Sequence, residues 1–250
     1  MKTTFIFING VFVTLLVVFL INWKFENALY KRILSKIDYS NLAAEQQVLE
    51  IQNATYELLK PRNEFFSGKE TLGFRDSYFR SADIQLIDGG ACGTFVHVLG
   101  RLLQEADFDI RIAQMFCEGQ FGCHIFLEVK LNDRYIVLDP LFNLSFRNPD
   151  GSLATFLELQ ENFSSFQHQL PLNYSEEYKY EDVRYTNWNK IPILMPFIKK
   201  LLGNSASFIS VRSYLLNVYK VYFWIVVALW IMMLVAVALL MPSLKTKWNQ

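Results

Sequence analysis

Apolar residues are unevenly distributed along the chain. Thr3 to Trp23 contains no charged residue, and Phe5–Ile21 is mostly Phe, Ile, Val and Leu. Val221 to Met241 is uncharged and almost wholly apolar, closed by Pro242 and Lys245. About 20 such residues at about 1.5 Å each match the hydrocarbon thickness of a bilayer, so both runs predict transmembrane helices. Asn9 and Gly10 interrupt the first run, which keeps a cleaved secretion signal open as the alternative to an anchor. No small-x-small cleavage site follows, and Asn22-Trp23-Lys24 is a poor place to cut, so the anchor is preferred.

Two spans place both tails on one side of a membrane and the central domain on the other. The flanks of the central segment are basic, with Lys24, Lys31, Arg32 and Lys36 at one end and Lys199, Lys200, Arg212 and Lys220 at the other. Taken literally, this charge pattern retains the domain in the cytoplasm. The rule carries little weight for long translocated segments, and a short apolar N-terminus after Met1-Lys2 has the form of a secretion signal. The extracytoplasmic side is the preferred reading, and the cytoplasmic one stays open.

Between the spans the period of the pattern changes several times. Leu29, Ile33, Ile37, Leu42, Val48, Ile51, Tyr56, Leu58 and Leu59 recur at helical spacings, broken around Asp38-Tyr39-Ser40-Asn41, with Pro61 as the expected stop. Residues 62–84 carry many charges and Gly, Ser and Asn turns, and read as a loop with short structure. Asp88-Gly89-Gly90 signals a turn, and Phe95, Val96, Leu99, Leu102, Leu103 and Ala106 then keep an i, i+3, i+4, i+7 stripe, predicting a helix that starts at or just before Cys92. Cys123 to Lys130 alternates, with His124, Phe126 and Glu128 on the more polar side of a half-buried strand.

Asn132-Asp133 reads as a two-residue turn into a strand over Tyr135–Asp139. Leu153 to Leu170 predicts a further helix. Asn173 to Asn189, rich in Tyr, Glu and Asp, shows no period and reads as loop. Ile191 to Leu202 suits either the membrane surface or a simple approach to the second span. The chain thus divides into an anchor (1–24), a helical and loop part (25–84), a motif-bearing core (85–147), a C-terminal part with a membrane-proximal segment (148–220) and a second span (221–242).

Composition narrows the classes. The chain has 250 residues, 52% of them hydrophobic, and a formal net charge of zero. That suffices for one domain with a real core and gives no basic excess for nucleic acid. A transporter or channel subunit is disfavoured because neither span carries an ionisable residue. Of the three cysteines, Cys117 and Cys123 could pair, and an odd count leaves one thiol free. A zinc site from Cys117, Cys123 and His124 is disfavoured, since adjacent strand residues point to opposite faces. No metal or cofactor is expected.

The candidate chemistry lies in three short motifs, Gly90-Ala91-Cys92-Gly93, Cys123-His124 and Leu138-Asp139-Pro140. A helix start at Cys92 sets its thiol among unpaired backbone N–H groups, which favour thiolate and can form part of an oxyanion site. A two-residue loop at Asn132-Asp133 puts Leu131 opposite Arg134 and Phe126 opposite Asp139. His124 then becomes the diagonal neighbour of Asp139 on one face. Cys92, His124 and Asp139 are the three groups a cysteine hydrolase or acyltransferase needs: a nucleophile, a base and an acid that orients the base. The plainer readings are a buried Cys, a packing His and an Asp-Pro strand terminator.

In that order, the run GGACGTFVHVLGRLLQEADFDIRIAQMF…GCHIFLEVKLNDRYIVLDPLF resembles the core of the transglutaminase-like superfamily of cysteine enzymes. The resemblance covers about a quarter of the chain. It implies an α+β, papain-related fold with the nucleophile at a helix N-terminus packed on an antiparallel sheet. It assigns Cys92, His124 and Asp139 as nucleophile, base and orienting acid, and Phe108, Arg111 and Glu128-Val129 as supporting positions. Ile125-Phe126 stands where the family commonly has Ala-Trp, Leu141 where a Thr often follows Asp-Pro, and Tyr135 where a Trp is usual. These departures spare the three groups and bear on substrate preference. Gln85 is a candidate for the upstream oxyanion donor.

The expectation is a membrane-anchored enzyme acting on a peptide, amide or ester through a thioester. Hydrolysis is preferred to transfer, as in bacterial-type members of the superfamily, and there is no acidic loop of the kind the calcium-dependent cross-linkers carry. The alternative is a catalytically inactive copy of the fold that serves as a binding or assembly component for a membrane-protein partner in envelope or polysaccharide biogenesis.

Overall fold

A computed structural model of the chain describes residues 2–65, 81–87, 91–188 and 200–248. It divides into two compact units, one formed by the two terminal segments up to Ala28 and from Asn217, the other running from Leu29 to Leu216.

The terminal unit holds the long helices α1 (Lys2–Leu34, whose last turns belong to the second unit) and α7 (Val218–Trp248). Thr3–Leu34 and Val218–Leu239 are long and apolar enough to cross a membrane. Their large side chains face outward: Phe7 is 70% and Leu239 73% exposed, which no core helix of a soluble protein would leave uncovered. Asn9 does not break α1. Its Nδ2 donates to the Phe5 carbonyl, and its Oδ1 accepts from Trp230 Nε1 on α7, each at 2.8 Å. The residue that looked like an interruption therefore ties the two helices together. Near the other end Phe19 packs on Tyr219 and Tyr222, and Trp23 on Phe223. Lys24 and Lys220 both lie over the Trp23 ring.

The second unit is α+β. Its sheet has five antiparallel strands in the order β4-β3-β2-β1-β5: β1 Ile110–Cys117, β2 Gln120–Leu131, β3 Arg134–Asp139, β4 Leu144–Ser145 and β5 Val183–Arg184. β2 and β3 pair from Leu131 opposite Arg134 to Leu127 opposite Leu138, so the next pair along is Phe126 and Asp139. Asn132 makes the turn at φ +55°, a left-handed conformation that Asn tolerates well.

Helices cover one face of the sheet. α2 (Ala44–Phe65) and α4 (Cys92–Glu105) pack together and bury an aliphatic layer that includes Val48, Ile51, Val98, Leu99, Leu102, Ile112, Leu127, Val129, Ile136 and Leu138. At Gly100 an added Cβ would meet the side-chain ends of Leu216 at 2.9 Å and Ile110 at 3.0 Å, so a small residue there lets α4 approach the sheet closely. α3 (Ala82–Ile87) packs beside α4.

The other face carries α5 (Phe156–Phe166) and the segment 170–185, with an aromatic layer of Phe126, Phe146, Phe156, Phe166, Tyr174, Tyr180 and Tyr185. Thr155 caps α5 in a capping box with Glu158, which sets its start three residues after the expected one. α6 (Val211–Tyr214) is a short turn before α7.

Three expectations need correction. Pro61 does not stop α2, which runs on to Phe65. The proline forfeits one hydrogen bond near a helix end, where Lys60 and Pro61 are exposed and water can take the freed carbonyl. The predicted loop over 62–84 begins as helix, and the short structure expected within it includes the start of α3; 66–80 lies outside the described residues, as do the Asp88-Gly89-Gly90 turn and most of Ile191–Leu202. The His124 side of β2 is not half-exposed: His124 and Phe126 are wholly buried and Glu128 nearly so, because the aromatic layer covers them.

Candidate functional site

α4 begins at Cys92, with Ala91 as an N-cap that makes no side-chain hydrogen bond. The thiol is therefore in the first turn of a 14-residue helix, where free N–H groups favour an anion. It is partly exposed, and it is the free cysteine: Cys117 and Cys123 form a disulfide across the turn between β1 and β2. The β1–β2 register shifts between Gln114 and Phe116, and the added freedom in β2 falls at Gly122 to His124. Such an irregularity re-aims the side chains beside it.

The structure brings the three sequence-predicted residues together. His124 Nε2 and Asp139 Oδ2 are 2.6 Å apart, with both side chains at 0% exposure. Cys92 lies near this pair, close enough for the imidazole and the Ile125 backbone N–H to act on the titration of its thiol. Nε2 is engaged by Asp139, so Nδ1 is the nitrogen left to face a thiol; it is buried and makes no hydrogen bond among the described residues.

The electrostatics follow from these contacts. Burial pushes the Cys92 thiol up, but the neighbouring His124 imidazole, together with the Ile125 N–H, more than offsets it, so the thiol lies below its ordinary value. Burial likewise pushes His124 down. The Asp139 carboxylate and the Cys92 sulfur outweigh that and raise the imidazole to about 9. Thiol and imidazole thus shift in the directions that place the proton on the ring and the charge on sulfur.

Aromatic rings enclose the imidazole. Tyr178 stacks on it at 4.3 Å with 16° between planes, and Phe142 and Tyr174 pack at 6.0 and 6.4 Å. The Tyr174 hydroxyl donates to Asp139 Oδ2 at 3.1 Å and lies 2.9 Å from the Tyr180 hydroxyl. Tyr174 and Tyr178 also line a cleft of about 690 Å³ with Phe163, Leu170, Glu176 and Lys179.

Sequence reasoning missed these tyrosines, because 173–189 has no period to read. The signal it did carry was density: Tyr174, Tyr178, Tyr180 and Tyr185 fall within a dozen positions.

Two of the supporting positions also meet. Arg111 lies opposite Glu128 across β1 and β2, with its guanidinium 2.8 Å from the carboxylate and packed on the rings of Tyr135 and Tyr185. Burial raises the Glu128 carboxyl, and Arg111 opposes that in part. Phe108 packs on the aliphatic layer. Gln85 is buried on α3.

Comparison of the chain with models of known protein families, with curated proteins and with solved structures finds no match.

Proposed function

We propose that the protein is a membrane-anchored cysteine hydrolase of transglutaminase-like, papain-related fold, acting on a peptide, amide or ester through a thioester. The observation that carries this reading is the juxtaposition of the three groups: His124 bonded to Asp139, and Cys92 beside the imidazole, on a helix N-terminus and partly open to solvent. A helix bearing the cysteine, followed by antiparallel strands bearing the histidine and the aspartate, is also the order that the resemblance implies.

In this reading the Cys92 thiolate attacks the substrate carbonyl carbon, and its electron pair forms the C–S bond while the carbonyl pair moves to oxygen. First-turn N–H groups of α4 face that developing charge, with Gln85 as the candidate second donor. Collapse expels the amine or alcohol, which takes the proton from His124, and leaves a thioester. His124 then removes a proton from water, hydroxide adds, and acid and thiolate are released. An amine in place of water gives transfer instead. Asp139 holds the ring and balances its charge throughout.

The two apolar helices support membrane anchorage. The Cys117–Cys123 disulfide supports an extracytoplasmic domain, since such bonds persist in oxidising compartments.

The pH dependence of alkylation at Cys92 tests the proposal in the full chain, where the disulfide leaves this thiol as the reporter. The shifts have definite signs. A lowered thiol pKa keeps thiolate as pH falls below about 8.5, and the raised imidazole stays charged from its ordinary value of about 6.5 up to about 9. Rapid labelling should therefore persist well below pH 7 and be lost in His124→Ala. Slow labelling with a midpoint near about 8.5, indifferent to His124, would sink the enzyme reading and favour the inactive binding module.

A further inference from the structure

We infer that Tyr174 and Tyr180 are positioning residues of the site, a two-hydroxyl chain that holds Asp139 on His124. The inference rests on the enzyme reading above and adds residues that lie outside the Cys-His-Asp set. An ionised carboxylate only accepts hydrogen bonds, so the 3.1 Å contact fixes Tyr174 as the donor to Asp139 Oδ2. The Tyr174 oxygen is then the acceptor in its 2.9 Å contact with Tyr180, whose hydroxyl proton points toward the site. The chain therefore runs from Tyr180 to Tyr174 to Asp139, and each donation polarises the next.

The arrangement leaves Asp139 dependent on it. Oδ2 takes both of the carboxylate's side-chain hydrogen bonds, from His124 and from Tyr174, while Oδ1 is buried and meets no donor among the described residues. A wholly buried carboxylate with two donors on one oxygen has no water to replace either. Removing the Tyr174 hydroxyl leaves His124 as the sole anchor. The carboxylate is then free to turn, the imidazolium loses part of its counter-charge, and the thiolate loses its partner in turn.

Tyr180 is itself completely buried among Phe126, Phe146, Phe156 and Phe163, so its hydroxyl is placed by packing and cannot exchange its partner for solvent. Burial and the neighbouring carboxylate hold both phenols protonated well above the ordinary tyrosine range, which keeps them donors at any working pH.

The test is the Cys92 alkylation profile of the full-length protein with Tyr174→Phe, Tyr180→Phe and both, each of which removes one oxygen and keeps the ring. Tyr174→Phe should move the thiol midpoint upward and slow labelling at pH 6 by about tenfold for each unit moved, with the rate above pH 9 unchanged. Tyr180→Phe should give a smaller shift of the same sign. The double variant should match Tyr174→Phe, because Tyr180 acts only through Tyr174. Thermal unfolding run beside these gives the general loss of stability, which a purely structural role would show without the shift in midpoint.

A midpoint that stays in place, or falls, in Tyr174→Phe overturns the inference. So does a Tyr180→Phe effect that persists undiminished in the Tyr174→Phe background. Failure of the enzyme reading looks different, because the unaltered protein would then label slowly and ignore His124.

Discussion

The two faces of the sheet are built from different materials. The face under α2 and α4 is aliphatic, with Val98, Leu99, Leu102, Leu127, Val129 and Leu138 all at or near 0% exposure. The face under α5 and the tyrosine-rich segment is aromatic and holds most of the sheet's buried polar groups, His124, Asp139 and Glu128 among them, with Tyr174, Tyr180 and Tyr185 beside them. Branched aliphatic side chains interdigitate but offer no hydrogen bonds. Tyrosine fills as much space and adds a hydroxyl, so an aromatic layer can be dry and still satisfy a buried carboxylate. One face fixes the sheet; the other lets it carry charge. Cys92 connects them, sitting on a helix of the aliphatic face yet close enough to His124 of the other for each to shift the titration of its neighbour.

The largest expected break comes from the aliphatic face. Leu99→Ala should lower unfolding stability by about 2–5 kcal/mol through lost burial and the cavity left behind. The surviving folded fraction should keep the alkylation midpoint of the unaltered protein. Denaturation followed by far-UV circular dichroism, with labelling on the same samples, checks both halves. A shifted midpoint at intact stability would show that the two faces are not separable.

A smaller effect is expected from the disulfide, which closes the β1–β2 turn and places Cys123 directly beside His124 in the chain. Replacing both Cys117 and Cys123 by Ala should cost about 2 kcal/mol, the loop-closure value for a short separation. The midpoint should move little, because Ile125, Phe126 and Leu127 still pair with β1. Equal stability with and without the bond, measured by denaturation, would contradict this.

Legibility in the sequence follows the same division. The aliphatic face was readable because it is periodic: the stripe from Phe95 to Leu103 gave α4 and the position of Cys92. Alternation from Cys123 to Lys130 with the turn at Asn132 gave the register that brings His124 to Asp139. Both are local rules of side-chain direction. The aromatic face was not readable, because Tyr174, Tyr178 and Tyr180 reach the site from an aperiodic segment whose path is set by tertiary packing. For the same reason the burial of His124 was invisible, since a strand's pattern does not reveal what covers its polar side. Asn9 misled in the opposite sense: a polar residue in an apolar helix is an interruption until Trp230 on a second helix is seen to bond it.

The smallest expected effect separates two tyrosines of one layer. At position 174 the hydroxyl carries the interaction; at 178 the ring does, because it stacks on His124 at 4.3 Å while its hydroxyl makes no hydrogen bond among the described residues. Tyr178→Phe should therefore leave the labelling profile unchanged. Tyr178→Leu keeps apolar bulk but removes the aromatic face that stabilises the imidazolium, an interaction of about 1 kcal/mol. The imidazole should fall somewhat below its raised value of about 9, and labelling at pH 6 should slow by about fivefold, the rate equivalent of that energy. Titration of the His124 ring by NMR, alongside alkylation, gives the comparison directly. A loss in Tyr178→Phe as large as that in Tyr178→Leu would place the effect in the hydroxyl and erase the distinction between the two positions.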